Sequence, residues 1–437
     1  MLLYHLRIAF KSLRRNPILS TLIIFGIALG IGVSTTFMTT HHLLSGNPIP
    51  HKSDRLYYVE LDSWDPARGW DDSNPKATPN QLTYRDTVEI MKSNIPTYQG
   101  GSFKASLYVH PPPNVGRPFK VVARMCFSDF FPLFDVPFQY GSGWPRSADA
   151  GPEQVVVLDN ETNQKVFGGR NSVGKLLRVE DREFKVVGVL KPWFPRPKFF
   201  DVHNGAFEKP EEIYLPFNFV RPLELYSAGN TSGWKNDDGE GFEAHLNGES
   251  IWIQMWVQLD TEKQKEAYMD FLNSYVKGQK LLGRMQRPLN NKLLPVMEWM
   301  KIEKVVPEEA TSMLVISMLF LVVCALNLIG ILLGKFLGRA PEVGVRRALG
   351  ASKWSIFVQH IIECELVGVL GGVLGVLLSI GGLKLINSLF EINFKFQLDG
   401  LMVIAAIGLA LTAGLIAGLY PAWRICSIPP AVYLKEQ

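Results

Sequence analysis

Ile18-Leu-Ser-Thr-Leu-Ile-Ile-Phe-Gly-Ile-Ala-Leu-Gly-Ile-Gly-Val-Ser-Thr-Thr-Phe-Met38 runs for 21 residues without a charge. As a helix rising 1.5 Å per residue, such a run covers the ~30 Å of a bilayer's hydrocarbon. Basic residues precede it, as they would a signal peptide. Its length, however, exceeds the ~7–15 residues of a signal core, and Thr39-Thr40-His41-His42 is a poor cleavage site. The run is therefore read as a retained membrane span. Three more runs reach spanning length: Thr311 to Leu337, Ile361 to Leu389 and Leu401 to Trp423. The expected fold is membrane α-helical, with four transmembrane helices and a large α+β extracytoplasmic domain between helices 1 and 2.

Charge between the runs sets the expected orientation, because cytoplasmic flanks are rich in Lys and Arg. Arg7, Lys11, Arg14 and Arg15 precede the first run. Lys335, Arg339, Arg346, Arg347 and Lys353 lie between the second and third, with Glu342. Arg424 and Lys435 follow the fourth, with Glu436. That side carries eleven bases and two acids, whereas segment 44–309 carries 32 bases and 35 acids. Both termini are thus expected in the cytoplasm of a bacterial inner membrane and the large domain in the periplasm. The net charge of +4 is a membrane-orientation signal. No basic cluster sits in the large domain, so a nucleic-acid partner is not expected.

The chain divides into an amphipathic cytoplasmic helix 1–16, with Leu3, Leu6, Phe10 and Leu13 on one face, and a first span 17–43. Then come the periplasmic domain 44–309, span 310–338, cytoplasmic loop 339–356, span 357–389, outer loop 390–399 (with Glu391, Lys395 and Asp399), span 400–423 and tail 424–437. Asn16-Pro17 predicts a break between the first helix and its span. Within the large domain, strands are expected at 55–60, 103–110, 119–125, 154–158, 176–179, 183–190, 214–215 and 251–259. Helices are expected at 81–92, 160–167 and 262–280. The stretch 223–250, rich in Gly, Asn, Ser and Asp, reads as a long exposed loop. Cys126 is the only cysteine of this domain, so an apolar core and not an internal disulfide must hold it.

Catalytic signals are thin. Gly169-Arg-Asn-Ser-Val-Gly174-Lys175 matches seven positions of a phosphate-binding loop, but Leu176 stands where the Mg²⁺-binding Ser or Thr is required. The stretch also falls in the domain expected outside, and it reads as a tight turn. His41, His42 and His51 lack metal-ligand spacing, and no nucleophile elbow is present. Neither a catalytic nor a directly bound cofactor or metal site is expected. Glu363, Glu365 and Lys384 read as interfacial residues that snorkel out of the third span. Gly26 and Gly30 in the first span, and Gly368, Gly371, Gly372 and Gly375 in the third, permit close helix approach. This spacing suits packing within one bundle and dimerisation equally. The loop Pro341-Glu-Val-Gly-Val-Arg-Arg-Ala-Leu-Gly-Ala-Ser352 reads as a short, cationic, partly apolar helix.

Several segments, in order, resemble the MacB/FtsX-type permeases of ABC transporters. They are Ala9–Pro17 running into Phe25–Gly32, the cytoplasmic motif Glu342–Ser352, and Gly418-Leu-Tyr-Pro-Ala-Trp-Arg424 with Ile428–Ala431. In the large domain they are Phe127–Phe134 with Gly141, Val166–Gly168, Val173–Lys175, Val186–Val189 and Ile213–Pro216. Ala340-Pro341 departs from the polar or basic pair common there. The resemblance implies a permease subunit working as a dimer, with a second identical or paralogous copy, on a cytoplasmic ABC ATPase dimer. It implies that ATP and Mg²⁺ act through that separate ATPase, since residue 1 stands only 17 residues from the first span. It assigns ATPase coupling to Glu342, Val343, Val345, Arg346, Arg347 and Leu349. A periplasmic adaptor and an outer-membrane channel are further implied partners. The implied activity is MacB-like export or mechanotransmission. A lipoprotein-releasing permease and an FtsX-like regulator of a periplasmic cell-wall hydrolase are the alternatives.

Overall fold

A helix breaker separates the first two helices of the membrane-embedded part. Asn16 and Pro17 separate α1 (Leu2–Arg15) from α2 (Pro17–Ser45), since Pro constrains the residue before it away from helix and fits a first turn. A computed structural model of the chain describes residues 2–112, 116–151, 153–389 and 396–427. The side chains of Leu3 and Leu6, the loop residues Glu391 and Lys395, and the tail with Ile428–Ala431, Lys435 and Glu436 lie outside the described residues. The chain forms two units, one spanning Gly46–Val305 and the other built from the residues before and after it.

The first unit comprises β1 (Leu56–Glu60), α3 (Tyr84–Ile90), β2 (Tyr98–His110), β3 (Phe119–Cys126), α4 (Phe130–Leu133), β4 (Phe138–Gly141) and α5 (Ser147–Ala150). It continues with β5 (Val155–Leu158), α6 (Asn160–Phe167), β6 (Leu176–Val179), β7 (Arg182–Leu190), β8 (Ile213–Pro216), α7 (Phe242–Asn247), β9 (Gln254–Gln258), α8 (Glu262–Leu281), β10 (Lys292–Pro295) and α9 (Val296–Ile302). The strands form one mixed sheet in the order β10-β1-β9-β2-β3-β8-β5-β7-β4, with β6 joining β2 and β7. Pairing is antiparallel except for β3 with β8 and β5 with β7. Local signals set the helices. Thr261 caps α8, accepting from the Gln264 amide, and Tyr268, Leu272 and Val276 recur on its buried face. Asp159 caps α6, and Gly168 ends it at φ +66°.

Aromatic rings fill one side of the core. Tyr58 stacks on Trp299 with centroids 3.6 Å apart and meets Trp256 edge-on at 5.1 Å. One buried charge cluster crosses it. Arg124 reaches Glu211 at 2.6 Å and also bonds Asp201, while Lys198 stands 3.4 Å from Glu211. Burial alone would raise the Glu211 carboxyl; the Arg124 and Lys198 charges hold it well below the usual carboxylate range.

The structure corrects several expectations for this unit. Residues 223–250 are not simply an exposed loop: α7 docks Phe242 and Leu246 into the core, and Ser232 bridges to Ile251. Strand β2 begins at Tyr98, five residues before the expected start, because Gly100-Gly101-Ser102 pairs with β9 despite poor strand propensity. Strands β4 and β10 and helix α9 were not expected; the two strands are only four residues long.

The second unit adds α10 (Glu308–Leu337), α11 (Ala340–Ala348), α12 (Lys353–Leu389) and α13 (Gly400–Ser427). Among the described residues, α2, α10, α12 and α13 are the four helices long and apolar enough to cross a membrane. The helices run past the expected spans at some ends: α12 starts at Lys353 and α13 continues to Ser427. The glycines sit at helix crossings inside this bundle. A Cβ built on Gly371 would stand 2.6 Å from Ile27 Cγ2, and one on Gly375 would stand 2.8 Å from Ile31. Gly368 and Gly372 face Ala410 of α13, while Gly26 and Gly30 face Leu328 and Leu321 of α10. Small residues thus let backbones meet closely where apolar lipid offers no hydrophobic drive. Ser34 of α2 adds a hydrogen bond to the Ser317 carbonyl of α10 at 2.8 Å.

Glu60 yields a test of the Gly46–Val305 unit. Burial pushes its carboxyl up to about 7, despite a Thr78 hydrogen bond and Lys292 at 3.7 Å. The unfolded chain releases that proton at about 4.5, the folded unit only near 7. Stability from this group is therefore full below pH 4.5 and falls as pH rises to 7, by on the order of 3 kcal/mol. Glu60→Gln is expected to remove that decline, measured as the difference in unfolding midpoint between the two proteins at pH 5 and pH 8. Parallel pH curves for the two would contradict the assignment.

Candidate functional site

Helix α11 is bracketed by its own sequence. Pro341 sits in its first turn with Glu342, and Arg346 and Arg347 occupy its last turn, so both ends complement the helix dipole. Gly350 follows at φ +98°, a conformation that favours glycine, and reverses the chain. Ser352 then accepts the Ser355 amide at 3.1 Å and starts α12.

The six residues assigned to coupling divide between two faces. Val343 is buried with Ala340 against the bundle. Arg347 donates to the Cys426 carbonyl of α13 at 3.2 Å. Glu342 and Arg346 pair at 2.8 Å, Glu342 also reaches Arg15 of α1 at 3.2 Å, and Arg346 reaches Gln359 of α12 at 3.2 Å. Val345 and Leu349 point outward, and Leu349 is 84% exposed. A short helix is thus tied to three neighbours on one side and presents an apolar surface on the other, with the half-buried Arg346 and Arg347 at its edge.

The tie that matters most lies below α11. Glu363 had been expected to snorkel at an interface, and the structure contradicts this. Helix α12 begins ten residues earlier, so Glu363 stands roughly 15 Å into it. Glu363 is 1% exposed and 2.7 Å from Lys335 Nζ, itself buried in α10. Arg339, between α10 and α11, stands 3.4 Å away. Ser12 of α1 donates to Glu363 and accepts from Arg339 Nη1 at 2.5 Å, while its carbonyl accepts from Nη2 at 3.2 Å. One carboxylate therefore joins α1, α10, the start of α11 and α12. Glu365, two residues deeper in α12, is half-buried, and Lys384 is exposed.

Neither rival motif gains a site. Gly169–Lys175 leads into strand β6, whereas a phosphate-binding loop opens a helix. Ser172 Oγ is turned onto Asn163, and Lys175 lies over the Phe167 ring. His51 pairs with Asp135 at 2.7 Å, and His41 stands 3.5 Å from Thr311. Among the described residues, no group of three His, Cys, Asp or Glu side chains is arranged to hold a metal ion.

The sequence matches the family model described as "MacB-like periplasmic core domain" over residues 20–274 and "FtsX-like permease C-terminal" over residues 314–430. It is 30% identical over 340 residues to the macrolide export ATP-binding/permease protein MacB of Syntrophobacter fumaroxidans, covering 70% of this chain and 46% of that protein. It is 24% identical over 311 residues to MacB of Acinetobacter baylyi, covering 71% and 42%. The chain thus spans less than half the length of these two relatives. Against the ABC transporter permease YvrN of Bacillus subtilis it is 24% identical over 458 residues, covering 100% of both. Four spans, an inserted α+β domain and these two matched regions define a membrane permease of the ABC transporter class. Within that class, the chain belongs to the MacB-like, FtsX-like permease family.

Removing one partner of a buried ion pair strands the other, at a cost of ~3–5 kcal/mol, whereas replacing both by apolar groups is far milder. Glu363→Ala is therefore expected to lower the thermal midpoint of the detergent-purified protein sharply. Adding Lys335→Met, with Arg339→Gln, is expected to recover most of the loss. Midpoints by fluorescence-monitored gel filtration measure both; a Glu363→Ala protein as stable as wild type would contradict the tie.

Proposed function

We propose that this chain is the transmembrane subunit of an ABC exporter whose ATP hydrolysis takes place on a separate cytoplasmic ATPase. The observation that carries this reading is α11. It presents exposed Val345 and Leu349 beside Arg346, and it is fastened through Arg339 and Glu363 to two spanning helices and α1. A cationic, partly apolar helix suits a groove on a partner. Closure of an ATPase pair beneath α11 would pull on α10 and α12 together, because one carboxylate links them. Helix α10 leads directly out of the Gly46–Val305 unit in the chain, so that pull has a covalent path to the large domain. ATP and Mg²⁺ bind the partner in this scheme.

Orientation follows from the charge asymmetry: α11 and both termini in the cytoplasm of a bacterial inner membrane, the large domain outside. The functional unit would hold two permease copies, identical or paralogous, on the ATPase dimer, with an adaptor and outer-membrane channel in an efflux assembly. Relatives are named for macrolide and pyoverdine export, which favours export of a small organic cargo over regulation of a cell-wall hydrolase.

The exposed face of α11 is tested by Val345→Glu with Leu349→Glu. The pair is expected to reduce co-purification of the co-expressed ATPase at least tenfold while the permease keeps its gel-filtration profile. Full ATPase recovery would contradict the coupling assignment.

The orientation has its own test. In a background with Cys126, Cys324, Cys364 and Cys426 replaced by Ser, an impermeant maleimide added outside should label Ser227→Cys and not Ser352→Cys. The reverse labelling pattern would invert the proposed topology.

A further inference from the structure

Between α1, α11 and the first turns of α12 lies a cavity of about 320 Å³. Its walls carry four cationic side chains, Lys11, Arg15, Arg339 and Arg346, and one carboxylate, Glu342. Glu342 is shared by Arg15 and Arg346, at 3.2 and 2.8 Å. Arg339 shares Glu363 with Lys335. Across these seven groups five bases meet two acids, an excess of three positive charges. A cavity with such an excess attracts an anion, and its forked guanidinium groups match phosphate oxygens. Gln359 and His360 add polar atoms to the wall.

The position of the cavity narrows the choice of anion. It opens at the ends of α10 and α12 that flank α11, where a spanning bundle meets the headgroup layer. Its outer wall is α1, which buries Leu13 in the bundle and keeps Arg14 and Arg15 exposed. A basic amphipathic helix beside a span lies among headgroups, and basic pockets between spans at this level take acidic lipid headgroups.

We propose that the cavity binds the phosphodiester headgroup of an anionic phospholipid, clamped between α1 and the α11 helix. The lipid then acts as a removable counter-ion. When it is present, Lys11 and Arg15 of α1 and Arg346 of α11 close on one phosphate, and α11 is held against the bundle. When it is absent, their mutual repulsion loosens α1 from α11. This site is independent of the ATPase reading, since it requires only the membrane.

The test uses full-length protein, delipidated in detergent, with phosphatidylglycerol, phosphatidylcholine or inorganic phosphate added. Native mass spectrometry counts retained lipid, and thermal unfolding measures stabilisation. Phosphatidylglycerol is expected to be retained and to raise the midpoint by several degrees, phosphatidylcholine to do neither, and millimolar phosphate to give a small rise at most. Lys11→Gln with Arg15→Gln should weaken phosphatidylglycerol retention about tenfold, while Lys11→Arg with Arg15→Lys should keep it. Equal retention of the two lipids, or undiminished phosphatidylglycerol retention by the Gln pair, would overturn the proposal. Stabilisation by inorganic phosphate that matches the lipid would also overturn it, by making the occupant a soluble anion.

Discussion

A carboxylate buried among spanning helices has to be neutralised, and around Glu363 that requirement organises the membrane-embedded unit. Taking a charge out of water costs several kcal/mol unless an opposite charge and hydrogen bonds meet it. Lys335 supplies the charge from α10, Arg339 adds a second from the turn into α11, and Ser12 supplies a hydroxyl from α1. Each of these partners sits on a different element. Satisfying one acid therefore fixes the register of α10 against α12 and seats α1 and α11 against both. Glycines at the crossings with α2 and α13 bring the remaining helices within contact distance.

This arrangement gives α11 an uncommon mechanical character. It is only nine residues long, far below the length at which a helix is stable alone in water. Its rigidity comes from neighbours: Val343 in the bundle, Arg347 on the α13 backbone, and the Glu342–Arg346 pair reaching α1 and α12. On the proposed reading, a partner that pushes on Leu349 and Val345 pushes on a block, and the displacement passes to α10 and α12 undiminished. The Gly46–Val305 unit is built on one continuous sheet, with an Arg124-centred charge cluster sealed in its core.

Much of this was legible in the sequence, for identifiable reasons. Spans announce themselves by length and lack of charge, and α11 by Pro341 at its start and Gly350 at its end. Strands β6 and β7 alternate in burial, and β5 is a short continuous apolar run. What the sequence hid were pairings between distant segments. Nothing in the spacing of Ser12, Lys335, Arg339 and Glu363 shows that they converge, so Glu363 read as a snorkelling acid. Strands β4 and β10 are too short to show a pattern. Strand β2 carries two glycines that only its β9 neighbour makes extended. Within 223–250, Phe242 and Leu246 recur at helical spacing, a faint signal submerged in the polar composition around them.

On the proposed reading the outer face of α11 meets an ATPase. A photocrosslinking amino acid placed at Leu349 in the full-length protein, co-expressed with its ATPase in intact cells, tests it most directly. An ultraviolet-dependent adduct between the two chains is expected from Leu349 and none from the same probe at Leu401. Crosslinking from Leu401 but not from Leu349 would contradict it.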